Sequence, residues 1–127
     1  MQGKELYEYA IIRLVPKVER QEFINVGVIL YARRLKFLAM KWHVDEGKVR
    51  ALSSDIDIAK MEDYLRAWED VCSGAPKGGS IGELEIHVRF RWLTASRSTI
   101  IQSSPVHPGF CEDPDEKLKD LYERFVG

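Results

Sequence analysis

The richest run of polar chemistry in this sequence lies between Arg89 and His107. Arg89, Arg91 and Arg97 are joined there by Ser98, Thr99, Gln102, Ser103, Ser104 and His107, with no carboxylate among them. A guanidinium offers two parallel N–H donors to a phosphate or carboxylate, and neighbouring hydroxyls and amides can add further donors. The window is therefore the strongest candidate anion site. A second cluster, Arg13, Arg20 and Asn25, surrounds a charged loop and an Asn-x-Gly step ending at Gly27. Each cluster has a plainer reading beside the chemical one. Arg20 can pair with Glu19 or Glu22, Asn25 can satisfy a bulged backbone, and hydroxyl and amide side chains at strand edges commonly bond the main chain. His107, between Pro105 and Pro108, has the ring of a general base on a stiff support. The loop holds no Asp to orient that ring and the chain has no Gly-x-Ser-x-Gly elbow, so a surface histidine is the simpler reading.

Other chemistry is scarce. The chain lacks a Gly-x-x-x-x-Gly-Lys phosphate loop and a Gly-x-Gly-x-x-Gly turn, and His43, His87 and His107 do not have metal-ligand spacing. No metal site and no cofactor is expected. Cys72 and Cys111 stand far apart and outside any Cys-x-x-Cys pair, as free thiols in a reducing compartment do.

Composition narrows the class. The chain has 127 residues, 45% hydrophobic and 31% charged, the balance of one globular domain over 1–127. A net charge of −1 removes the whole-domain case for binding nucleic acid or an anionic membrane. Nucleic acid stays open as a ligand but is not favoured. The basic residues do gather between Ile12 and Trp42, while 45–70 and 112–123 lean acidic. No apolar run approaches the roughly 20 residues needed to cross a bilayer, and the first residues do not read as an export signal. A cytoplasmic protein without a membrane association is expected.

The elements that must position these residues follow from hydrophobic period. Tyr7–Val15 is apolar on both alternating faces, as a central strand covered on both sides would be. Ile24–Ala32 and Leu35–Trp42 give two more strands, and the short Arg33-Arg34 break between them predicts a hairpin. Gly27 within the second strand marks a bulge or a close backbone approach. From Ile56 the period lengthens. Ile58, Met61, Leu65, Trp68 and Cys72 form one helical stripe, capped by Asp55 or Asp57 and stopped at Ser73-Gly74-Ala75-Pro76. Lys77–Ser80 reads as a flexible loop. Ile81–Leu93 fits both periods and is assigned to helix, with Phe90, Trp92 and Leu93 in the core. Ser98–Ser103 reads as a short fourth strand and Ser104–Gly109 as a rigid loop. Asp113-Pro114-Asp115-Glu116 then starts a final helix with a cap, a first-turn proline and acidic groups at the positive end of its dipole. Its stripe of Leu118, Leu121, Tyr122, Phe125 and Val126 must pack on the sheet. The expected class is α+β: a small, mainly antiparallel sheet, made of a three-strand meander and a short later strand, covered by amphipathic helices.

The runs Tyr9–Pro16, Glu19–Val28, and Arg89–Leu93 through Arg97–Gly109 together resemble a bacterial family of unknown function, domain-of-unknown-function family 3037. The resemblance extends from about Tyr7 to Val126 and implies no assigned activity. It implies a protein partner, a HipA-like kinase encoded nearby. It also marks Arg13, Glu19, Arg20, Glu22, Asn25, Gly27, Arg89, Phe90, Trp92, Leu93, Arg97, Ser98, Gln102 and His107 as positions to test.

Three functions are thus in play. The first is a non-catalytic accessory or protein-interaction module. The second is an anion-binding protein whose arginines grip phosphate or nucleic acid, and the third is a small hydrolase built on His107. Exposed sheet edges make a homodimer plausible.

Overall fold

The computed structural model describes residues 3–127. Strand β1 (Glu5–Leu14) is its organising element, because it is paired along both edges. On one side it runs antiparallel to β2 (Ile24–Ala32), which in turn pairs with β3 (Phe37–Trp42). On the other side its C-terminal end pairs with β4 (Ile101–Ser103) and its N-terminal half with β5 (His107–Cys111), both antiparallel. The apolar character of both faces of β1 is thereby explained. Ala10, Ile12 and Leu14 pack under α2 (Ile58–Ser73) and α4 (Ile86–Leu93), which supply Met61, Leu65, Phe90 and Leu93. Tyr7 and Ile11 join Val28 and Leu30 under α5 (Pro114–Phe125) through Leu118 and Leu121. The result is an α+β fold with one sheet between two helical layers.

Caps and breakers act where the sequence places them. The Asp57 carboxylate accepts the Lys60 N–H at 3.1 Å to begin α2, and Gly74 ends it with φ 72°. Asp113 accepts from the backbone of Asp115 and Glu116, and Pro114 opens α5. The β2–β3 hairpin turns through Arg33-Arg34-Leu35-Lys36, with the Lys36 N–H bonded to the Arg33 carbonyl at 3.1 Å. At Gly27 both expectations are realised. An extra residue, Val26, bulges between the pairs Ile12–Gly27 and Arg13–Asn25, and a Cβ on Gly27 would lie 2.9 Å from both the Lys41 carbonyl and the Trp42 Cβ. The bulge keeps Val26 in the core beneath α2 and turns Asn25 to the α5 face.

Several boundaries differ from the sequence reading. His107–Cys111 is a strand rather than part of a loop, and the fourth strand is confined to Ile101–Ser103. Leu35 belongs to the turn. Glu46–Leu52 forms a helix, α1, capped by Asp45, which the sequence reading passed over because only Val49 of its seven residues is buried. Lys77–Ser80 is wound rather than flexible, a 3-10 turn at Pro76–Gly78 running into the one-turn helix α3 (Gly79–Gly82). Within Ile81–Leu93 the helix is α4, whose Phe90 and Leu93 are buried, whereas Trp92 is 41% exposed.

Candidate functional site

The arginines singled out from the sequence separate in space. Arg89 is consumed by the fold: its Nε donates to the Leu84 carbonyl at 2.8 Å, and Nη1 donates to the carbonyls of Val71 and Cys72 at 2.9 and 2.8 Å. Both of those carbonyls lie in the last turn of α2, where the Val71 oxygen also accepts the Gly74 N–H and a cation meets the negative end of the dipole. Arg91 grips Glu8 of β1 with both arms, at 3.0 and 2.9 Å. Arg20 pairs with Glu22 at the surface, and Ser98 is exposed in the α4–β4 connection.

Four of the nine candidates do share a face. Arg13 is the cross-strand partner of Asn25 on β2 and of Gln102 on β4, and His107 is the partner of Tyr9, so pleating directs these side chains to the α5 side. The shelf they form is largely self-occupied. Asn25 donates to the Phe125 carbonyl at 3.2 Å, and Gln102 donates to the Thr99 carbonyl at 2.8 Å. The Arg13 guanidinium lies 4.2 Å from the centre of the Phe23 ring, with its Nε buried and unbonded. The His107 ring rests 5.5 Å from the Tyr9 ring. Ser103 and Ser104 donate to main-chain carbonyls at 2.8 and 2.9 Å, so neither hydroxyl is engaged with His107. Among the described residues no group of three or more His, Cys, Asp or Glu side chains is placed to hold a metal ion.

Arg97 marks a different place. It follows α4 and lies between two indoles, its guanidinium 5.0 Å from the ring centres of both Trp68 on α2 and Trp92 on α4. It also donates to the Trp92 carbonyl. Burial against the indoles lowers the guanidinium's pKa from its ordinary value. This sandwich forms one wall of an open groove of about 610 Å³ between α2 and the α4–β4 connection. Tyr64, Trp68 and Val71 come from α2, Trp92 from α4, Ile100 from the chain leading into β4 and Ile101 from the first position of that strand. Lys77 and Arg97 are the charged residues of its lining, and none of the lining residues is acidic.

The sequence reading identified Arg97 but missed Tyr64, Trp68 and Trp92 as its companions. A signal was present: Tyr64 and Trp68 are spaced i,i+4 on α2, so the aromatic stripe is wider than the core needs.

No curated protein and no solved structure matches the chain. One sequence family does, described as "Protein of unknown function (DUF3037)", and its profile matches residues 9–126, from Tyr9 on the shelf through the groove to the end of α5. The chain belongs to this DUF3037 family.

Proposed function

We propose that the domain is a non-catalytic interaction module that receives a segment of a partner protein in the groove of Tyr64, Trp68 and Trp92. The observation that carries this reading is the placement of Arg97, a cation fixed between two indoles at the wall of a largely apolar trough. Tryptophan, tyrosine and arginine are the residues on which protein interfaces concentrate binding energy. A trough lined by apolar groups with a few convergent donors suits an apolar side chain next to a carboxylate. The two cations and the absence of acidic lining residues favour an acidic segment over a basic one.

A bacterial, cytoplasmic accessory role follows from this proposal together with the family resemblance, and a HipA-like kinase is the first partner to try. The test is co-purification of the domain with that kinase, followed by titration of the two proteins. Trp92→Ala and Arg97→Gln should each weaken the complex at least about tenfold, roughly 1.4 kcal/mol or more. His107→Ala, on the opposite face, should leave it unchanged. Failure to form any complex would retire the kinase as partner. A complex indifferent to both groove substitutions would retire the groove.

A further inference from the structure

The opposite end of the helix-covered sheet face carries a second cleft, of about 680 Å³, with different chemistry. Helix α4 reaches only far enough for Phe90 to stack on Tyr31 and for Arg91 to bind Glu8. Beyond it, on this face, the start of β1 and the end of β5 are uncovered. Leu6 and its cross-strand partner Phe110 lie there side by side, 51% and 54% exposed.

The rim of this apolar floor is positive. Lys4, Arg33, Arg34 and Arg91 line the cleft against two carboxylates, Glu5 and Glu8. Both carboxylates have cations already: Arg91 holds both oxygens of Glu8, and Arg34 lies 3.9 Å from Glu5. Among the described residues no carboxylate is within ion-pair distance of Lys4 or Arg33, which leaves two uncompensated charges at the mouth. The turn that presents Arg33 and Arg34 is itself unusual. Lys36 occupies a left-handed conformation with φ 51°, where Gly or Asn is the favoured residue, so the hairpin carries three cations in four residues.

We propose that this cleft binds a nucleotide, with its phosphates on the unpaired Arg33 and Lys4 and its base lying on Phe110 and Leu6. The volume is that of a small-ligand site, and the pairing of free cations with an exposed ring matches a ligand that joins a polyanion to a flat aromatic system. The proposal does not rest on the groove.

Calorimetric titration of the whole chain with ATP, GTP, CTP and UTP, and with tripolyphosphate as a ring-free polyanion, tests it. At least one nucleotide should bind tenfold or more tightly than tripolyphosphate. Phe110→Ala should abolish that preference, and Arg33→Gln should weaken nucleotide and tripolyphosphate alike, both with an unchanged circular dichroism spectrum and thermal midpoint. The proposal is overturned if no nucleotide binds, if nucleotides and tripolyphosphate bind equally, or if Phe110→Ala leaves the preference intact. It is overturned equally if a single-stranded oligonucleotide binds where no mononucleotide does, since the cleft would then be part of a nucleic-acid surface.

Discussion

Arg89 and Arg91 are two positions apart on one helix, yet physics separates their weights. Arg89 closes three carbonyls from two chain segments, two of them in a partly buried setting. Hydrogen bonds from a charged donor contribute about 1.5–3 kcal/mol each and are not additive within one fork, so Arg89→Ala should cost about 3 kcal/mol in urea denaturation. Arg89→Lys should recover only part of that, because one ammonium cannot replace a planar fork. Arg91 makes a two-armed ion pair with Glu8, but over half of its side chain is in solvent, and the same substitution there should cost no more than about 1 kcal/mol. Equal losses at the two positions would contradict this ranking. The sequence presented both as ligand-binding arginines because the acceptors that claim Arg89 are main-chain carbonyls, which have no signature in side-chain pattern.

At the level of elements, the junction between β4 and β5 shows why one strand was legible and the other was not. Pro105 interrupts the edge and can supply no N–H, and the ladder is completed there by a side chain: the Ile11 N–H donates to the Ser104 hydroxyl oxygen at 2.8 Å, while the Ser104 N–H donates to the Ile11 carbonyl at 2.8 Å. Ser104 is the one buried polar residue of the described chain. Ser104→Ala would strand the Ile11 N–H inside the sheet, and a loss of about 2 kcal/mol is expected in thermal or urea unfolding. A neutral result would show that water reaches the Ile11 N–H at this junction. The strand that follows, His-Pro-Gly-Phe-Cys, holds the two residues that usually argue against a strand. They are tolerated because β5 lies at the sheet edge, and because Gly109 leaves room for the Tyr7 ring that crosses it. The meander, α2 and α5 were readable because period, cap and breaker agreed in each. α1 was not, since seven residues with one buried side chain generate no period.

For the molecule as a whole, the two sheet faces titrate in the same direction. Burial pushes the Cys72 thiol up to about 12 from its ordinary 9.0 on the α2 side, and burial likewise raises Tyr7, Cys111 and Tyr122 around α5. The folded chain therefore keeps protons that the unfolded chain releases, so stability is whole below about pH 9 and declines as pH rises from there towards about 12. Urea midpoints across that range should fall, and Cys72→Ala should flatten part of the decline; an unaltered slope would place its origin elsewhere. The candidate sites were the least legible part of the sequence. A groove assembled from residues 64 to 101, and a cleft assembled from residues 4 to 110, gather side chains that proximity along the chain does not group. The groove also brings its own optical probe. Two of the chain's three tryptophans, Trp68 and Trp92, flank its guanidinium, while the third, Trp42, hydrogen-bonds to Glu69 across from β3. A Trp42→Phe variant would emit from the groove alone, so a guest that displaces water from those two indoles would announce itself as a change in the colour and quenching of native fluorescence, with no dye attached.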